Sequence, residues 1–245
     1  MKKKKKLFFR FVRRIILCFY KKREFLGLEN LDKEPSIVVM NHAQMHGPLM
    51  SELFFPTDKL IWCTGEMMNV KEIPAYAYKD FWSHKPKWSK WFYKMLSYLL
   101  APILSYVFNN ADCIPVYKDM RIMTTYKETV KGLMNGDNVV IFPESPREYN
   151  EIINDFQDKF VDVARLYYSR TKKNLRFVPC YHAAKLKKVV FGKPIEYDAT
   201  LSADDQRGKI VQYLKQEITA IAKELPVHTV VPYTNVSKKL YPKSK

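Results

Sequence analysis

Glycine is scarce, with seven residues in 245. None falls into G-x-G-x-x-G, G-x-x-x-x-G-K-[ST] or G-x-S-x-G. This removes support for loops that cradle nucleotide phosphates and for the elbow that presents a nucleophilic serine. The four cysteines, Cys18, Cys63, Cys113 and Cys180, are far apart in sequence and form no C-x-x-C. Each sits in or beside apolar residues, a distribution expected of reduced, partly buried thiols with cytosolic exposure. No apolar run approaches the roughly 20 residues a spanning helix needs. Acidic residues are missing from positions 1–23, where eleven lysines and arginines stand.

That asymmetry accounts for most of the net charge. Of the overall +17, eleven charges come from residues 1–23, so the rest of the chain carries only +6. An excess of this size favours anionic partners. The basic start does not read as a signal peptide, because Arg10, Arg13 and Arg14 interrupt its apolar residues and no small-residue cleavage site follows. On an ideal helix, Lys3, Lys6, Arg10, Arg13, Arg14 and Lys21 share one stripe about 100° wide, while Phe8, Phe11, Val12, Ile15, Cys18 and Phe19 lie outside it. Leu17 falls inside the stripe. A basic, aromatic-rich amphipathic helix is expected to lie on an anionic membrane surface, over residues 1–24. Signatures of aromatic-basic RNA recognition are absent, and no nucleic-acid partner is expected.

Hydrophobic content of 47% with 14% aromatic residues argues for a packed core in the remainder. "EPSIVVMNH" reads as a buried strand, with a helix over 48–55 starting at Pro48, and "KLIWCTGE" reads as a second strand. Residues 75–110 are rich in aromatics and lysines. Within them Met95–Phe108 is fourteen residues without a charge, flanked by Trp88, Trp91 and Tyr93, which predicts an interfacial helix kinked or restarted at Pro102. Strand and helix signals then alternate. "DCIPVY", "NVVIFPE", "LRFVPCYHAA" and "KVVFGKPIEY" read as strands, and 121–134, 153–171 and 203–225 as helices. The pattern predicts an α/β domain over 25–232, with a mixed, largely parallel sheet flanked by helices, and a basic tail at 233–245.

The residues that could carry chemistry gather at strand ends. His42 and His46 have the spacing of a helical zinc pair, but position 43 is Ala43 and Gly47-Pro48 interrupts the helix, so no metal site is expected. His42 at the exit of a buried strand fits a neutral imidazole acting as general base. "VVIFPESPRE" delivers Glu144 and Arg147 from another strand, "DCIPVYKD" delivers Lys118, and "FVPCYHA" follows Pro179. In α/β sheets, ligands bind at such an edge. A guanidinium with a lysine suits a phosphate monoester.

In order and spacing, "FLGLENL", "NHAQMHG", "CIPVYK", "FPESPR", "FVPCYHA" and "VFGKPIEYD" resemble the motif series of the lysophospholipid (1-acylglycerol-3-phosphate) acyltransferase family over residues 25–225. The resemblance implies a glycerolipid acyltransferase-like fold on the cytoplasmic face of a membrane. It also implies transfer of an acyl group from acyl-CoA or acyl carrier protein, a co-substrate rather than a cofactor, to a lysophospholipid-like hydroxyl. His42 would be the base and Glu144 would order the site. Arg147 and Lys118 would hold phosphate, with Asn41, Ser145 and Pro179 in supporting positions. One departure matters: the family's Asp, five residues after its His, is Gly47 here. That carboxylate would fix the imidazole's tautomer and stabilise its protonated form. Ser145-Pro146 likewise replaces Gly-Thr. Three accounts follow: another acid such as Glu144 or Glu52 orients His42, His46 joins a rearranged site, or the chain binds lipid without catalysis.

Overall fold

Runs of β-branched residues without polar interruption form the middle of a sheet. Ile37–Met40 and Asn138–Ile141 are buried along their whole length, as expected of parallel strands covered on both faces. The structure is a computed structural model that describes residues 6–31, 34–82 and 85–245. Of the expected basic stripe, Lys3 lies outside the described residues.

In chain order the elements are α1 (Leu7–Phe19), β1 (Glu24–Leu26), β2 (Ile37–Met40), α2 (His46–Phe54), β3 (Lys59–Thr64), α3 (Ile73–Ala77), α4 (Lys90–Asn110), β4 (Cys113–Val116), α5 (Ile122–Met134), β5 (Asn138–Ile141), β6 (Glu144–Tyr149), β7 (Asn154–Phe156), α6 (Asp162–Thr171), β8 (Arg176–Ala183), β9 (Lys188–Phe191), β10 (Ile195–Glu196) and α7 (Ala203–Glu224). Two compact units result. One comprises the described residues up to Tyr20 with Trp62–Thr125, the other Lys21–Ile61 with Tyr126–Lys245. Both boundaries after Tyr20 fall inside the block 25–232.

The second unit holds the sheet order β1-β9-β8-β2-β5-β3, with β10 beside β8. Pairing is parallel at β1·β9, β8·β2, β2·β5 and β5·β3, and antiparallel at β8·β9 and β8·β10. This is the mixed, largely parallel α/β architecture expected. In register, Val39 lies between Ile141 of β5 and Pro179 of β8, so those three parallel strands end along one edge. Helix α7 starts at a Ser202 cap whose hydroxyl accepts from the Asp205 N–H. It buries Ile210, Leu214, Ile218 and Ile221, a 3.6-residue stripe, and packs on β8.

Two expectations change. The helix expected over 153–171 begins only at Asp162. Ahead of it, β6 and β7 form an antiparallel hairpin. Asn150 turns the chain by accepting from the Ile152 and Ile153 N–H groups through Oδ1, with Glu151 left-handed at φ 72°. The helix expected at 48–55 is α2, two residues earlier at its start, because His46 N–H bonds the Ala43 carbonyl and Gly47 N–H that of His42.

In the first unit, α4 runs unbroken for 21 residues with Pro102 inside it. Its buried side is small and polar, with Ser97, Ala101 and Ser105 at four-residue intervals. Ala101 joins a core of Met67, Ile73 and Ala77, and Ser105 Oγ donates to the Met68 carbonyl at 3.0 Å. The opposite side exposes Trp91, Tyr98, Leu99 and Ile103, beyond a Trp88 that is 81% exposed. Helix α1 packs against α4 through Phe8 and Tyr106, whose rings meet edge-on at 5.3 Å. It buries Phe9 but exposes Leu7, Phe11, Ile15 and Phe19, the last at 85%. Among the described residues no helix is long and apolar enough to cross a membrane. Cysteines 50 positions apart meet in this unit: Cys63 and Cys113 place their sulfurs 2.9 Å apart.

Candidate functional site

β2 leads directly into Asn41 and His42. Asn41 is buried, and its carboxamide continues the β2–β8 ladder: the His182 N–H donates to Oδ1 at 2.7 Å, and Nδ2 donates to the His182 carbonyl at 3.3 Å. The expected supporting residue thus fixes where the strand ends. The chain then turns sharply through Ala43 and Gln44, both left-handed at φ 46° and 54°, before α2 begins. His42 and His46 therefore sit on different elements and share no helical turn. Among the described residues no three His, Cys, Asp or Glu side chains gather as metal ligands would.

The His42 imidazole is held by rings. Phe142 and Tyr233 meet it edge-to-face, with centroids 5.3 and 5.2 Å away. Its Nδ1 is shut off from solvent and has no hydrogen-bond partner among the described residues. Burial lowers the His42 pKa to about 4, opposed by a hydrogen bond with the Gln44 backbone, so the ring is neutral at pH 7.

Glu144 lies next to His42 but serves its backbone. Oε1 accepts the His42 N–H at 2.6 Å and Oε2 accepts the Asn154 N–H at 2.8 Å, so the carboxyl ties the end of β2 to β7. Burial raises its pKa to about 7, although both N–H donors favour the ionised form. Glu52 is engaged by Lys59 Nζ at 3.3 Å. His46 opens α2, and burial together with the charges of Arg23, Lys185 and Lys238 lowers its pKa. Neither acid, nor His46, bonds His42 Nδ1.

Gly47 explains why no carboxylate takes that place locally. A Cβ there would lie 2.7 Å from the His42 carbonyl oxygen, 2.8 Å from that of Asn41 and 2.8 Å from Phe142 Cε1. The space a longer side chain would enter is filled by backbone and by one of the rings that flank the imidazole.

The remaining expected residues separate. Ser145 is buried and its hydroxyl donates to the Asp155 carbonyl at 3.2 Å, which closes the β6–β7 hairpin. Arg147 is exposed on β6; the hydrogen bond from Lys215 Nζ holds Asp155 in its ionised form, and the Arg147 charge adds to it. Pro179 lies buried within β8, opposite Val39. Lys118 is exposed after β4 and belongs to the first unit.

Four neighbours went unread in the sequence: Phe142, Tyr233, His182 and Arg23. His182 is buried at the end of β8, where Arg23 Nε donates to its Nε2 at 3.4 Å, leaving the proton on Nδ1. Burial, then the Arg23 and His46 charges, lowers its pKa to about 3. Phe142 and His182 stand inside strand-end motifs and were visible as such, whereas nothing in "VPYTN" marks Tyr233 as a neighbour of His42.

No family model and no curated protein matches the chain. Among solved structures, the crystal structure of the 1-acyl-sn-glycerophosphate (LPA) acyltransferase, PlsC, from Thermotoga maritima is similar to 87% of this chain and 77% of its own, at 16% sequence identity and a TM-score of 0.49.

Proposed function

We propose that the chain is a peripheral membrane O-acyltransferase acting at the cytoplasmic face, moving a fatty acyl group from a thioester to a hydroxyl of a lysophospholipid or glycerophosphate-like acceptor. The observation that carries this reading is a neutral imidazole at the end of the central parallel strand, inside the ordered motif series from "FLGLENL" to "VFGKPIEYD".

The chemistry needs only groups this chain has. Nε2 of His42 takes the acceptor hydroxyl's proton as the oxygen attacks the thioester carbonyl. The tetrahedral intermediate collapses with loss of thiolate, which the imidazolium reprotonates, leaving an ester and a free thiol. With no carboxylate on Nδ1, the imidazolium gains no ionic support, so this base is always in its active form at pH 7 but pulls weakly. Glu144 sets the position of the His42 main chain, and Arg147 is the candidate for the acceptor phosphate. Two features support membrane attachment: the apolar residues exposed on α1 beside Arg10 and Arg14, and the Trp and Tyr side chains exposed along α4.

A second reading, lipid or acyl-donor binding without turnover, is favoured by one observation, the Nδ1 left without a partner. Thiol release from acyl-CoA or acyl carrier protein, measured with and without lysophospholipid on anionic vesicles, separates the two. Acceptor-dependent release that His42→Ala abolishes, with vesicle binding intact, supports transfer. Absence of release from any such pair, with binding retained, supports the second reading.

A further inference from the structure

We propose that Tyr233, carried on a C-terminal strap, is a positioning residue for His42, fixing the imidazole by ring contact where no carboxylate fixes it by hydrogen bonding.

The basic tail expected at 233–245 belongs to a segment tethered at both ends. After α7 the chain is pinned by His228, whose Nε2 meets the Tyr181 hydroxyl at 2.9 Å and whose N–H donates to Ser244 Oγ at 3.2 Å. Val230 N–H donates to the Pro242 carbonyl at 2.9 Å, and Ser244 N–H to that of His228 at 3.0 Å. Val230, Val231 and Ser244 are buried. Residues 234–240 between these anchors are exposed, with Leu240 at 71%.

This strap returns to the His42 loop at its two shoulders. Tyr233 presents its ring to the imidazole at 5.2 Å and 79°. On the other shoulder, Gln44 Nε2 donates to the Tyr241 hydroxyl at 2.8 Å, and also to the Thr234 carbonyl at 3.3 Å. Gln44 is one of the two left-handed residues that form the turn after His42. Its side chain thus fastens a strained turn to the strap that carries Tyr233. Edge-to-face contacts with Tyr233 and Phe142 restrict the torsions that a carboxylate on Nδ1 would otherwise set. They supply orientation without charge, so what matters in Tyr233 is its ring.

The test compares Tyr233→Phe with Tyr233→Ala, following the His42 ring protons by NMR, assigned through His42→Gln. The expected result is that Tyr233→Ala moves them toward free-histidine positions as the ring current is lost, whereas Tyr233→Phe leaves them near wild type. The His182 and His228 signals should stay in place and report an intact fold. Tyr241→Phe, which removes only the Gln44 bond at that shoulder, should broaden the His42 signals. Unmoved His42 signals in Tyr233→Ala, or equal movement in Tyr233→Phe, overturn the proposal. A kinetic arm rests on the acyl-transfer reading: kcat should fall roughly tenfold in Tyr233→Ala at unchanged KM and recover in Tyr233→Phe. A wild type without turnover would contradict that reading and leave the ring-proton arm to decide this one.

Discussion

Placing an aspartate at Gly47, as in the motif that "NHAQMHG" resembles, is the most informative single change, because sequence logic and structure give opposite answers. By motif alone, Gly47→Asp supplies the missing carboxylate and should speed the reaction. By geometry, even the Cβ meets two carbonyl oxygens at 2.7 and 2.8 Å and the Phe142 ring edge at 2.8 Å. The ring can give way, but the two carbonyls belong to Asn41 and His42 and move only if the site moves. Overpacking of this kind costs about 1–3 kcal/mol. For a chain of this length that is a melting-temperature drop of about 3–10 °C. Gly47→Ala carries the steric part alone and should show most of the loss. Gly47→Asp should lose at least as much and gain no thiol release. Thermal unfolding of both variants beside the turnover assay decides the matter. A Gly47→Asp protein as stable as wild type and faster would refute the steric argument.

Glu144, raised from 4.5 to about 7, stabilises the fold only while protonated, so its contribution is lost as pH rises from 4.5 through 7. His42 and His182, lowered from 6.5 to about 4 and about 3, have the opposite sign: their contribution is present above 6.5 and lost as pH falls below it. Glu144→Gln removes only the first slope, so its stability relative to wild type should rise by about 3 kcal/mol between pH 4.5 and 7 in urea titrations; a parallel pair of curves would contradict the assignment. Replacing Phe11 and Phe19 by serine should weaken binding to anionic vesicles in flotation by roughly tenfold, with neutral vesicles little affected by Arg10→Glu. Peroxide should convert the Cys63 and Cys113 thiols to a disulfide with loss of two hydrogens, read as two fewer titratable thiols, and Cys113→Ser should abolish the change.

The sheet was legible because its strands are continuous apolar runs that stand out from any neighbour: Ile37–Met40 and Asn138–Ile141 need no context to be read as buried strands. The strand ends were legible for the same reason, and of the residues they were expected to deliver, His42 and Glu144 do meet, whereas Arg147 is exposed on β6 and Lys118 belongs to the first unit. The β6–β7 hairpin was not legible, because "ESPREYNEIINDF" lacks two-residue alternation. Side-chain bonds across the hairpin close it instead, the Glu144 carboxyl accepting the Asn154 N–H and the Ser145 hydroxyl donating to the Asp155 carbonyl. Nor could sequence say what faces the imidazole. Its neighbours Phe142 and Tyr233 lie about 100 and 190 positions along the chain, and Tyr233 opens a segment that reads only as a basic tail. In sequence Gly47 is only a mismatch to the motif that "NHAQMHG" resembles, and it is the closeness of the Asn41 and His42 carbonyls that reveals a position where a side chain has no room.

The pH dependence of acceptor-dependent thiol release reads whether His42 works as a neutral base unsupported by a carboxylate. An imidazole with a pKa of about 4 predicts kcat/KM that stays level down to about pH 5 and reaches half its plateau near pH 4. A half-fall at pH 6.5 or above would mean that an acid supports the imidazolium after all.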